Sequence, residues 1–239
     1  MRTLVVMPTF NEAENLAAIA GRLLAANPEV DLLVVDDNSP DGTGAIADSL
    51  AAAERRVHVL HRQGKEGLGA AYRAGFQWGI AQGYEALVEM DADGSHQPEQ
   101  LPSLLDGLVD ADVVLGSRWV AGGAVVNWPK HRLWLSKGGS LYARLLLGFP
   151  TRDATGGFRA FRAQAIEQMG LLRSEAQGYV FQVDSTYRAY RSGLRVREVP
   201  IEFVERTAGE SKMSRRIVIE AMWQVTLWAL RHRLLGRSL

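Results

Sequence analysis

Two kinds of hydrophobic pattern alternate along the first half of the chain. Five short runs are almost continuously apolar: TLVVMP (Thr3–Pro8), DLLVVDD (Asp31–Asp37), VHVLHR (Val57–Arg62), EALVEMD (Glu85–Asp91) and DVVLGS (Asp112–Ser117). Runs of that length and continuity predict strands covered on both faces. Between them, apolar positions recur at helical spacing in Asn11–Ala26, Asp41–Glu54, Gly67–Gln82 and Pro98–Val109. Strand–helix alternation of this kind predicts right-handed crossovers and a mostly parallel sheet, a Rossmann-like α/β core of roughly 120 residues.

After Ser117 the pattern changes. Trp119–Phe149 is rich in Trp, Lys, Arg and Leu, and it predicts a helix from about His131 to Leu147. The glycine-containing DATGGFRAF (Asp153–Phe161) follows, then a helical pattern over Gly178–Gly193 and a strand-like RVREVPIEFVER (Arg195–Arg206). No internal repeat or low-complexity linker interrupts the chain. The expectation is one domain over residues 1–212, with an amphipathic helical extension over 213–239.

Composition narrows the function classes. With 47% hydrophobic and 23% charged residues the chain is of ordinary globular type, not disordered. Its net charge of zero gives the whole molecule no electrostatic footprint for nucleic acid. The absence of cysteine excludes disulfides, thiolate nucleophiles and Cys-ligated zinc. The opening MRTLVVMPTFNEAENL is too short an apolar stretch for a signal sequence and is broken by Pro8 and Glu12. No window offers about twenty uninterrupted apolar residues, so no transmembrane helix is predicted.

Candidate chemistry gathers at strand ends, where open α/β sheets bind their ligands. PTFNEAEN follows the first predicted strand, DDNSPDGT the second and DADGSH the fourth. In the last of these, Asp91 and Asp93 are separated by one residue, so two like charges can converge on one point. Such a pair fits a hard divalent cation, Mg²⁺ or Mn²⁺, which prefers oxygen ligands and retains waters and substrate phosphates. The same two residues also fit a helix cap and a turn. In DDNSPDGT, Asp41 or Thr43 fits a cap for the next helix, while Asp36 and Asp37 stand where an acidic side chain meets a ribose or a base edge. HRQGKEGLG carries Gly64, Gly67 and Gly69 beside Lys65 without a P-loop pattern, and fits a tight turn or a phosphate contact equally. His96 fits a turn or core position better than a catalytic base.

The motifs PTFNEAENL, VVDDNSPDGT, GKEGLGAAYRAG, MDADGSHQPEQL, GSRWV, DATGGFRAF and RTAGESKMS follow one another along nearly the whole chain. In that order the chain resembles the family 2 glycosyltransferases of GT-A fold, and among them the dolichyl- or polyprenyl-phosphate mannose synthases. The resemblance implies an inverting transfer of mannose from GDP-mannose to a polyprenyl phosphate, with Mg²⁺ or Mn²⁺. It implies a nucleotide-sugar site of Pro8, Phe10, Glu12, Val35, Asp37, Asp91, Ala92, Asp93, Arg206 and Lys212. Phe10 stands where many members carry Tyr. Asp91, Asp93 and Arg118 are implied as the catalytic set, and Arg118, Arg132 and Ser136 as the acceptor-phosphate set. Asp91 and Asp93 are implied metal ligands, with Ser95 or a water as the third. Phosphate acceptors are anionic near neutral pH, so cations to hold them matter more than a strong base. Rival readings keep the fold with UDP-glucose or another acceptor, or make the chain a non-catalytic nucleotide-sugar binding module.

A polyprenyl phosphate resides in a bilayer. Trp128, Lys130, His131, Arg132, Trp134 and Lys137 precede LYARLLLG, a composition that suits a helix lying in the membrane interface or a core helix with charged ends. Arg215 and Arg216 precede the mostly apolar Ile217–Leu230, and Arg231 and Arg233 follow it. At 1.5 Å per residue that stretch is too short to span a bilayer. It fits a surface helix or a dock for a membrane-embedded partner protein. The expectation is a peripheral cytoplasmic enzyme on the cytosolic face of the membrane.

Overall fold

In the computed structural model, residues 1–205 and 222–230 are described, the Tyr179 side chain excepted. The apolar runs form β1 (Thr3–Thr9), β2 (Val30–Asp36), β3 (Val57–His61), β4 (Ala86–Glu89) and β5 (Val113–Ser117). The helical patterns form α1 (Leu16–Ala26), α2 (Thr43–Ala53), α3 (Leu68–Ala81) and α4 (Leu101–Gly107), and later α5 (Lys130–Leu147). The remaining elements are β6 (Ala124–Val126), β7 (Arg159–Arg162), α6 (Ala163–Gln168), α7 (Gly178–Arg191), β8 (Val196–Pro200) and β9 (Glu202–Val204).

Seven strands make one sheet in the order β3-β2-β1-β4-β7-β5-β8, and β6 pairs with β9 in a small second sheet. Every pairing in the large sheet is parallel except those of β7, which runs antiparallel between β4 and β5. Continuous apolar strands are explained by cover on both sides. Val5 and Met7 of β1 face α1, α2 and α4, while Leu4 and Val6 face α3, α6 and α7. The helix α3 sits unusually close. A Cβ on Gly75 would stand 2.3 Å from Val6 Cγ1, and one on Gly79 would stand 2.4 Å from Leu87 Cδ2.

One segment given no element by the sequence acquires one, and one expectation needs correction. The second half of DATGGFRAF enters β7, with Ala160 facing one core layer and Phe161 the other. The predicted strand Arg195–Arg206 divides at Ile201, whose N–H donates to Ser117 O at the end of β5 as the chain passes from β8 to β9 of the small sheet. Residues 222–230 are helical, and Val225 packs with Ala143, Phe149 and Tyr187 in a third core cluster. Tyr142 and Thr226 hydroxyls join α5 to that helix at 2.6 Å. Among the described residues no helix is long and apolar enough to cross a membrane.

Candidate active site

Chain order reverses between β1 and β4, which lie side by side in the sheet, and the carboxyl ends of β1, β2 and β4 open there into a cavity of about 600 Å³. The loops after β1 and β2 are stitched together. Asn11 and Asn38 take left-handed backbone conformations, φ 58 and 57°, which Asn tolerates in turns. Ser39 Oγ, Thr43 Oγ1 and Asp41 Oδ2 accept the N–H groups of Asn11, Glu12 and Ala13. Asp41 also accepts the Thr43 N–H, but from the residue before the N-cap of α2, a position held by Gly42 rather than by Asp41 or Thr43. Asp36 is a loop organiser rather than a ligand group: it accepts from Thr9 Oγ1, Ser39 Oγ and Ser39 N–H.

Pro8, Phe10, Glu12 and Asp37 line this end of the cavity together with Lys65, whose ammonium sits 4.1 Å from the Phe10 ring centroid. Burial pushes the Asp37 carboxyl up, against the pull of Arg62 at 2.5 Å. Val35 is not on the wall. Its side chain is fully buried against α3, so only its backbone is near the loops.

Asp91, Ala92 and Asp93 line the cavity at the end of β4. Asp91 Oδ1 accepts from the Tyr72 hydroxyl at 3.1 Å, and burial together with that carboxylate raises the Tyr72 phenol well above its ordinary value. Asp91 N–H donates to His96 Nδ1 at 3.1 Å, which leaves the neutral imidazole its proton on Nε2. Burial lowers the basicity of His96, and its ring lies 5.2 Å from Phe158 and 5.4 Å from Phe203. A core role for this histidine therefore holds, although its edge also reaches the cavity. Asp93 Oδ1 accepts the Ser95 N–H at 3.0 Å. Ser95 itself is buried and off the cavity wall, so it fits the role of third metal ligand poorly.

Among the described residues no group of three or more His, Cys, Asp or Glu side chains is arranged to hold a metal. Two carboxylates on one cavity, completed by diphosphate oxygens and water, are the donor set that Mg²⁺ and Mn²⁺ take, so the residues fit such an ion. Beneath them Glu89 is wholly buried, and neither of its carboxyl oxygens has a hydrogen bond of normal geometry. Burial pushes it up to about 8, against the pull of Arg159 and Gln182 nearby.

Arg118, Arg132 and Ser136 also line the cavity, beyond the carboxylates. Arg118 is almost fully buried, and its Nε and Nη2 each donate to Asp153 at 2.7 Å. That edge is one of the two through which a guanidinium can fork an anion, and Asp153 occupies it. Burial alone would raise Asp153, but Arg118 holds its carboxyl below the usual range. Arg132 is ion-paired with Glu205 and lies 4.4 Å from the Trp128 ring centroid. Arg206 and Lys212 lie outside the described residues. Asp153, Thr155, Tyr72 and Gln182 were not picked out in the sequence as site residues; DATGG held a hint of the first two, while Tyr72 and Gln182 sit inside helical patterns.

A doubly wound sheet with an acidic pair on a cavity at its switch point is the arrangement of the α/β enzymes that bind nucleotides. The model for glycosyl transferase family 2 matches residues 4–170, and the chain belongs to that family. It is 57% identical to the undecaprenyl-phosphate mannosyltransferase of Micrococcus luteus, over 98% of this chain and 96% of that protein. It is 55% identical to the polyprenol monophosphomannose synthase of Mycolicibacterium smegmatis, over 98% of this chain and 89% of that protein. Among solved structures, the glucosyl-3-phosphoglycerate synthase of Mycobacterium tuberculosis with Mn²⁺, UDP-glucose and phosphoglyceric acid superposes with a TM-score of 0.69, at 18% identity, covering 97% of this chain and 79% of that one. A mannosyltransferase of Pyrobaculum calidifontis in complex with GDP-mannose and Mn²⁺ superposes with a TM-score of 0.59, at 17% identity, covering 100% and 76%. At those identities the likeness is one of fold, the GT-A fold.

Proposed function

We propose that the chain transfers mannose from GDP-mannose to a polyprenyl phosphate, with inversion at the anomeric carbon. The observation that carries this reading is the continuity of one cavity. The nucleoside wall, the Asp91–Asp93 pair, the Arg118–Arg132 end and an apolar wall of Leu135, Tyr142, Ala143, Met222 and Val225 all line the same space. A donor diphosphate and a lipid-linked phosphate can meet there. The high identity to proteins named for this class of product supports the choice of donor and acceptor.

In this reading Pro8, Phe10, Glu12 and Asp37 hold the nucleoside, and Asp91, Ala92 and Asp93 lie at the diphosphate. A bound Mg²⁺ or Mn²⁺ supplies the positive charge that stabilises the departing diphosphate. An oxygen of the acceptor phosphate forms the new bond to the anomeric carbon, and the bond to the diphosphate breaks with its electron pair. The acceptor is already anionic, so no residue need remove a proton. That suits a site whose histidine is buried and weakly basic. Arg118, Arg132 and Ser136 orient the acceptor phosphate, and Arg206 and Lys212 complete the cationic set. Residues 1–212 form the catalytic unit.

The exposed Trp134, Leu141 and Leu145 of α5 and Met222, Trp223 and Leu230 of the 222–230 helix form the face that meets the membrane, on its cytosolic side. The test is transfer of labelled mannose from GDP-mannose into an organic-extractable, mild-acid-labile lipid, with added polyprenyl phosphate, with and without Mg²⁺. Metal-dependent product is expected. Product from another sugar nucleotide alone would replace the donor assignment, and no product from any donor would favour a binding module.

A further inference from the structure

One polar side chain on the cavity wall is poorly satisfied by the protein. Gln182, in the second turn of α7, is 2% exposed, and among the described residues neither its amide oxygen nor its amide nitrogen makes a hydrogen bond of normal geometry, Glu89 alone lying near enough to draw on the amide. Buried amides are almost always satisfied, so an exception that faces a cavity points to a missing ligand. Its neighbourhood sharpens the case. A side-chain carbon built at Gly157 would stand 3.5 Å from His96 Cε1, 3.7 Å from Asp91 Oδ2 and 3.8 Å from Gln182 Nε2. The glycine thus leaves open a small space bordered by a carboxylate oxygen and a primary amide.

Gln182 is held there firmly. Its main-chain carbonyl oxygen accepts from Arg159 Nη1 at 2.8 Å, and the same guanidinium donates to Gly156 O and Ala154 O at 2.7 and 2.9 Å. Arg159 therefore ties the Ala154–Gly157 loop to α7 and fixes the amide against the open space. The nearby Glu89 can take at most one of the two amide protons. That leaves a donor and the carbonyl acceptor for something else.

We propose that Gln182 and the space over Gly157 form the subsite that holds hydroxyls of the donor sugar, resting on the mannosyl-transfer reading above. The chemistry selects a hydroxyl over a phosphate. A carboxylate oxygen and an amide carbonyl both repel a phosphate, whereas a hydroxyl donates to either and accepts from the amide N–H. Gln182 is in this sense a specificity-determining residue, and Arg159 a positioning residue behind it.

Two variants test the assignment. Gln182→Met keeps length and removes both polar atoms. Gly157→Ala adds a methyl that meets its neighbours at ordinary contact distance, so the fold accepts it while the subsite is filled. Affinities for GDP and for GDP-mannose are measured by calorimetry with Mn²⁺, alongside transfer kinetics and thermal melting. Both variants are expected to bind GDP as wild type does, and to lose about tenfold or more in GDP-mannose affinity and in kcat/KM for the donor. Equal losses for GDP and GDP-mannose, with a lowered melting temperature, would mark a structural residue and overturn the assignment. A raised KM for polyprenyl phosphate alone would place the acceptor there instead and also overturn it. Wild-type turnover from GDP-mannose that both variants preserve defeats only this inference. A wild-type chain that neither binds nor uses GDP-mannose defeats the mannosyl reading itself, and this subsite with it.

Discussion

Asp91 and Asp93 are held by different neighbours, the first by the Tyr72 hydroxyl and the second by the Ser95 N–H. Neither contact requires a second charge, so replacing both by asparagine keeps the oxygen acceptors and removes the negative field. The Asp91→Asn, Asp93→Asn double variant should fold as wild type and lose about 10²–10³-fold in metal-dependent transfer, read by initial rates against Mn²⁺ concentration. Glu89 gives a pH signature one layer below. Folded, it keeps its proton up to about 8, against an ordinary value of 4.5. The folded state thus binds that proton more tightly than the unfolded chain. Stability is fullest below the ordinary value and declines as pH rises through about 8. Denaturant melts at pH 5.5 and pH 8.5 should show this loss in wild type and a smaller one in Glu89→Gln. An equal loss in both would assign the slope to other groups. At this scale the sequence was legible where chemistry sat on strand ends. Pro8, Phe10, Glu12, Asp37, Asp91 and Asp93 all reach the cavity. Val35 and Ser95 do not, because alternation along a strand and the turn at Gly94 bury their side chains, a matter of orientation that identity alone does not reveal.

The close seat of α3 on the sheet sets the wall that carries Gly67, Leu68 and Ala71 into the cavity. Gly75→Ala would place a methyl 2.3 Å from Val6 Cγ1 and 3.2 Å from Val35 Cγ2, which only a shift of the helix can relieve. A loss of about 1–3 kcal/mol in unfolding free energy is expected, with a fall in nucleotide affinity as the wall moves outward. Unchanged stability would mean that the helix has slack the packing does not show. The periodicities of α1, α2, α3 and the first five strands were plain in the sequence, since long amphipathic or continuous apolar segments leave little choice. The strand β7 was not. It has four residues beside two glycines, and only its place between β4 and β5 makes it a strand. Gln182 escaped for a related reason: within α7 it is one polar residue of a helical pattern, and its burial is set by elements distant in sequence.

Among the described residues, α5 and the 222–230 helix carry exposed apolar side chains beside the Arg118–Arg132 end of the cavity. Trp134 and Leu145 are 71% and 68% exposed there, and neither lines the cavity. The variant Trp134→Ser, Leu145→Ser should reduce partition onto anionic vesicles by about tenfold or more, given the apolar area lost. Turnover with a short, water-soluble polyprenyl phosphate should stay near wild type, and equal loss in both assays would assign the pair to the fold instead. Sedimentation with vesicles of defined composition reads the first quantity and detergent-free kinetics the second.

The antiparallel strand in the middle of the sheet has a consequence for how the chain is made. Until Arg159–Arg162 has been synthesised, β4 has no partner on its outer side, and β5, whose other neighbour β8 comes later still in the chain, has none at all. Roughly 70 residues separate the end of β4 from the start of β7, so at ribosomal speeds the first half waits several seconds with an open hydrogen-bonding edge. Open edges of that kind recruit foreign strands. Nascent chains halted before Arg159 should therefore aggregate or engage chaperones more than chains halted after Pro200, in which β7 has joined β5 to β4 and β8 has covered the far side of β5.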